Sequence, residues 1–145
     1  SALATDNATV AQATWRGIVG LWGNVWQMVD GLQTGAGYKY KIWDKNGNKT
    51  YQTTSLTAPT DGYPVTMATA TGTDYDLATV FVAETANAAA GNGTYGGDLL
   101  YRSAIGVACH GGNWASGPST GLFCLKLDGG ASVAGPYFGG RLAKV

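Results

Sequence analysis

Charge is scarce in this sequence. Only 12% of its 145 residues are Asp, Glu, Lys or Arg, where ordinary domains carry about 25%. Nine basic residues cancel nine acidic ones, and no Lys/Arg run occurs. Nucleic-acid binding needs several phosphate-neutralising cations on one face, so the sequence speaks against it. Histidine occurs once, as His110, and glutamate once, as Glu84. A Ser-His-Asp triad would depend on His110, which stands beside Gly111 with no nucleophile-elbow sequence around it. Glycoside cleavage needs two carboxylates about 5–10 Å apart, and the few acids fall mostly in turn sequences. No apolar run approaches the roughly 20 residues of a membrane-spanning helix. Neither an initiating Met nor a signal-peptide pattern opens the chain, so it reads as a processed piece of a longer polypeptide. Two cysteines are too few for a disulfide framework. Cys109 and Cys124 each lie in an apolar run, where two buried small hydrophobes or one bridge between neighbouring strands would both fit.

What is abundant is glycine: 23 residues, aperiodic, often paired as in Gly96-Gly97, Gly111-Gly112, Gly129-Gly130 and Gly139-Gly140. Such pairs mark tight bends between short strands. Apolar residues make up 45%, enough for the core of one domain over residues 1–145. The surface must then be covered by Thr, Ser, Asn, Gly and Tyr, as on extracellular and virion proteins.

Asp6 and Asn7 can cap a helix, and Trp15, Ile18, Val19 and Trp22 fall at helical spacing before a stop at Gly23-Asn24. Residues 25–32 read as a short strand closed by Asp30-Gly31. Residues 38–43 alternate aromatic and Lys, one dry face and one wet. Asn46-Gly47 then signals a hairpin turn, with residues 49–54 returning. Residues 55–75, carrying Pro59 and Pro64, and residues 84–98 read as long loops. Residues 77–83 read as a buried strand, and residues 99–108, 121–127 and 138–145 as further strands.

Two segments carry a resemblance. Arg16-Gly17-Ile18 leads to Leu21-Trp22-Gly23-Asn24-Val25-Trp26-Gln27-Met28-Val29-Asp30-Gly31. This is similar to the Gly-Asn-Val-Trp-Glu-Trp signature of formylglycine-generating-enzyme-like proteins. Gly111-Gly112-Asn113-Trp114, Gly121-Leu122-Phe123 and Gly139-Gly140-Arg141-Leu142-Ala143 resemble that family's C-terminal elements. The spacing resembles most the branch of phage tail and virion proteins that serve as targets of diversity-generating retroelements. The resemblance implies an α+β, C-type-lectin-like fold: short antiparallel strands, one or two helices and long structured loops. It implies the C-terminal part of a virion protein, on a phage tail or capsid surface, that attaches to a host-surface protein or glycan. Other virion proteins and a homotrimer are the implied assembly partners, with neither nucleic acid nor membrane insertion.

In that branch the stretch after Gly-Gly-x-Trp displays the ligand-contacting side chains. Carried over, these are Asn113, Ala115, Ser116, Pro118, Ser119 and Thr120, with Lys126, Asp128 and Tyr137 behind them. Gly111, Gly112, Trp114, Gly121, Phe123, Gly140 and Arg141 would be scaffold. A capsid-decoration or fibre-capping role is the structural alternative. An oxidase of the formylglycine-generating type is the enzymatic one. That chemistry uses a reactive cysteine pair aligned near Ser116 and Gly121, whereas Cys124 lies beyond the second position and Cys109 precedes the motif. Copper-dependent oxidation therefore has no paired thiolates. Neither catalytic residue, metal nor cofactor is expected. Asp44-Lys45-Asn46-Gly47-Asn48 lacks the glycine and glutamate positions of a calcium loop. Asp74 and Asp76 could meet calcium, but the sugar-binding triplets of calcium-dependent lectins are absent.

Overall fold

A computed structural model describes residues 14, 15, 18–91, 93, 94 and 97–139. Asp6, Asn7, Arg16, Gly17, Gly140, Arg141 and the end of the last expected strand lie outside these. The described strands are β1 (Thr14–Trp15), β2 (Ile18–Val19), β3 (Trp26–Thr34), β4 (Lys39–Trp43), β5 (Tyr51–Thr57) and β6 (Tyr63–Met67), then β7 (Ala83–Asn87), β8 (Leu100–Arg102), β9 (Gly106–His110), β10 (Leu125–Gly129) and β11 (Phe138–Gly139). Three single 3-10 turns are the only helical segments among the described residues.

The α+β expectation is therefore corrected: the described chain is nearly all β, a curled mixed sheet forming a half-barrel. The expected helix over residues 14–22 is instead an antiparallel pair, Thr14 opposite Val19 and Trp15 opposite Ile18. Helical spacing was outweighed there by composition. β-branched and aromatic residues suit strands, and Gly20 and Gly23 take positive φ of 71° and 81° that interrupt a helix.

The main sheet runs β5-β4-β3-β9-β10-β8, and β11 lies alongside β3. β8 pairs with β10 in parallel, as β11 does with β3; the remaining pairs are antiparallel. Asp30-Gly31 does not end β3. It forms a bulge where the register against β9 jumps between Val29 and Gln33. Gly31 (φ 96°) lies there against the Trp43 ring. Tyr40 and Ile42 are buried on β4 as the alternation predicts.

The expected buried strand over 77–83 is a 3-10 turn, Leu77–Thr79, whose start is capped by Asp76 accepting from the Ala78 N–H. The strand follows it, as β7. Its partner β6 lies in a stretch expected to be loop, because Pro64 argues against a central strand. β6 and β7 form a two-stranded ribbon, where a proline is tolerated.

Ala108 and Cys109 are adjacent on β9 and so point to opposite faces. Each belongs to a different core cluster. Ala108 joins Leu32, Tyr40, Ile42, Leu100 and Leu127 with Leu77, Val82 and Ala83 from the ribbon side. Cys109 joins Trp26 and Cys124, with Met28, Tyr101 and Phe138 packed around them. Two hydroxyls brace the larger cluster's side of the fold. The Tyr40 hydroxyl donates to the Ala83 carbonyl at 2.8 Å, fastening the ribbon to the sheet. Thr34 Oγ1 donates to the Ser103 carbonyl at 2.9 Å. At Gly106 the β10 backbone at Leu127 passes so close that any Cβ would overlap it.

Candidate functional site

β9 runs into residues 111–124, which return as β10, so one end of the sheet carries this whole loop. Its path is fixed by its own sequence. Gly111 and Gly112 take φ of 87° and 67°, a conformation L side chains rarely adopt. A Cβ on Gly112 would collide with the Thr120 side chain, and one on Gly121 with the Asp98 carboxylate. Asn113 Oδ1 accepts from the Ala115 N–H at 2.9 Å and from the Ser116 hydroxyl at 2.8 Å. The Ser116 hydroxyl accepts in turn from the Asn113 N–H at 3.2 Å.

Neighbouring segments clamp the loop from outside. The Trp114 N–H donates to the Asn24 carbonyl at 3.1 Å, and the Gly23 N–H to the Gly111 carbonyl at 2.8 Å. Asp98 accepts from the Phe123 N–H at 2.8 Å. The Leu99 N–H donates to the Ser119 carbonyl at 3.1 Å, and Tyr63 and Ser119 hydroxyls meet at 3.3 Å. A loop held this fully has little ordering entropy left to lose on contact with a ligand.

The expected display residues divide. Ala115 and Pro118 are exposed, and Ser116 and Ser119 are half-buried. Asn113 and Thr120 are corrected: both are buried, at 9% and 1% exposure, and they hold the loop's interior instead of presenting it. Lys126 and Asp128 lie along β10 and pair with each other, and the Lys126 ammonium sits 5.8 Å from the Trp26 ring centre. Tyr137 is exposed.

Two residues assigned to scaffold turn out to be displayed: Trp114 at 37% exposure and Phe123 at 51%. The Trp114 and Tyr137 rings lie 4.8 Å apart, tilted by 39°. Phe123 pairs with exposed Phe81 at the same centroid distance, beside exposed Leu122. Phe123 and Phe81 border a recess with Ala83, Leu100 and Leu125 of the larger cluster. Phe138, next to Tyr137, packs on the smaller one. The two aromatic pairs are separate contacts at this end of the sheet. Phe81 carried no sequence signal for this role, because the ring it meets is 42 positions away.

A second recess, about 500 Å³, is bordered by Val29, Asp30, Trp43, Lys45 and Phe81. Its polar rim is largely engaged: Asp30 accepts from Tyr51 and Gly31, and Asp44 from Asn46 and Asn48.

Cys109 and Cys124 are buried and free. Cys109, opposite Lys126 on β10, shares a buried cluster with Cys124 without a bond between them. Burial raises the Cys109 thiol pKa and pushes that of Cys124 up to about 12. The reactive and metal-binding form is the thiolate, so neither sulfur is poised for either task at neutral pH. Among the described residues no three His, Cys, Asp or Glu side chains group as metal ligands. Asp74 and Asp76 are part of the turn around Leu77, where Asp76 is spent as a cap. Neither the family models, the curated proteins nor the solved structures contain a match to this chain.

Proposed function

We propose that the chain is a host-attachment module of a phage virion, without chemistry of its own. It would bind a host-surface ligand through the sheet end formed by residues 111–124 and 134–137. The observation that carries the binding reading is the Trp114–Tyr137 pair, two partly exposed aromatics of which Trp114 stands on a loop locked by its own hydrogen bonds. Tyr and Trp supply large rigid contact area at low entropic cost, and they dominate contact energies at interfaces. The virion setting is carried by the motif residues around Trp26 and Trp114, not by the fold, which departs from the one the resemblance implied. A homotrimer would multiply a modest single-site affinity by a factor on the order of 10² to 10⁴.

The second reading is a structural virion domain, and the apolar patch of Phe81, Leu122 and Phe123 favours it. Contiguous exposed apolar surface of this kind marks contact with another protein. The test is retention of the labelled chain on a panel of intact bacterial cells. Trp114→Ala and Tyr137→Ala should abolish it while Phe123→Ser leaves it intact. Absence of retention for the parent chain itself would instead favour assembly.

A further inference from the structure

We infer that the ligand of this surface is an uncharged glycan, seated with a pyranose face against Trp114 and Tyr137. The inference rests on the binding reading above and names the chemistry of its ligand. Residues 111–125 and 129–139, which build this end of the sheet, contain no Asp, Glu, Lys, Arg or His. Of the described charges beside them, Asp98, Lys126 and Asp128 are occupied. Asp98 receives the Phe123 N–H, and Lys126 pairs with Asp128. From residues 111–125 and 129–139 a phosphorylated, sulfated or sialylated ligand would gain no cation for the water it loses, and a cationic one no carboxylate. Either exchange costs free energy.

A neutral sugar has the opposite needs. Its C–H face is apolar and suits an aromatic ring, and its rim of hydroxyls needs donors and acceptors beside that ring. Trp114 and Tyr137 leave 37% and 40% of their surfaces to solvent. Small or polar residues border them: Asn24 and Ala115 are exposed and Ser116 is half-buried. Small neighbours leave room for the body of a ring. The aromatic bulk that a protein partner would use, Phe81 and Phe123, forms a separate pair that borders its own recess with Met67 and Ala83.

The experiment is binding of the intact chain to immobilised neutral oligosaccharides of gluco, galacto and manno type, beside sialylated and sulfated counterparts. The same preparations are tested for retention on cells. The expected result is binding to at least one neutral series, weakened about tenfold or more by Trp114→Ala and by Tyr137→Ala, the equivalent of about 1.4 kcal/mol. Ile105→Ser, at the far end of β9 and 73% exposed, should bind as the parent does. Near-ultraviolet circular dichroism checks that each variant is folded. If Trp114→Ala is not, Ala115→Arg, an exposed position, supplies the same test by blocking the ring. Preference for the charged set overturns the inference. So does cell retention that depends on Trp114 but occurs without affinity for any neutral glycan, an outcome that keeps the binding surface and assigns it a protein partner. Retention unaffected by Trp114→Ala and Tyr137→Ala sinks the binding reading itself.

Discussion

Thr120 offers a sharp test of how the loop is built. Its side chain is 1% exposed and packed against Gly112, and its Oγ1 is buried with no hydrogen-bond partner. Leaving a buried hydroxyl unpaired costs about 1–3 kcal/mol. Valine has nearly the same shape, and its β-branched side chain suits the extended backbone at this position (φ −105°, ψ 129°). Thr120→Val should therefore stabilise the domain by about 1 kcal/mol, raising Tm by about 3 °C. Thr120→Ser keeps the unpaired hydroxyl and drops a methyl, and should destabilise by about 1 kcal/mol. Thr120→Leu adds volume against Gly112 and should cost about 1–3 kcal/mol. Urea unfolding of the four proteins, with m held constant, measures all three differences. If Thr120→Val destabilises while Thr120→Ser is neutral, the hydroxyl carries a bond, and the reasoning about the loop interior fails.

Asn113→Ala removes the acceptor for both Ala115 and Ser116 and should lower stability by about 1–2 kcal/mol. Cell retention should fall with it, since Trp114 loses its support; unchanged retention would show that the loop needs no such lock. Trp114→Ala should cost about 2 kcal/mol in urea unfolding, less than a fully buried tryptophan, because over a third of its surface is already exposed. Outright unfolding would mean that the ring is a core element after all. Stability should fall above about pH 9. Burial raises Cys124 from 9.0 to about 12 in the folded state, and raises Tyr40 above its ordinary 10.0. Their folded state binds protons more tightly, so the stabilisation is complete below the unfolded pKa. It is lost as pH climbs, at up to about 1.4 kcal/mol per pH unit per group. Thermal melts with Cys124→Ala as comparison should show a shallower alkaline decline; an identical decline removes the thiol from the account.

How far the sequence could be read follows the range of the interactions. The β4–β5 hairpin was legible because alternation over residues 38–43 and the Asn46-Gly47 turn are both local. β6 was hidden by Pro64, whose place in a two-stranded ribbon depends on a partner some 20 residues away. The misread helix over 14–22 shows the weakness of spacing without propensity: Trp15, Ile18 and Trp22 fit a helical face, but the glycines between them do not. At the site, the break in the strands after Gly111-Gly112 is legible as a loop, because its glycines and small polar residues are local signals. Which of its side chains face outward was not legible. Residue type alone puts small polar Asn113 and Thr120 outside and large Trp114 inside, yet the backbone needs Asn113 inside as a bond acceptor. The ring finds its cover only partly, from Tyr137, 23 positions later. Residue type predicts burial on average; here long-range pairing decided it.

That Cys109 and Cys124 lie in one buried cluster yet stay unbonded has a consequence for handling. This end of the sheet owes nothing to a covalent staple, so a reducing agent removes none of its support. Its shape answers to packing and hydrogen bonding.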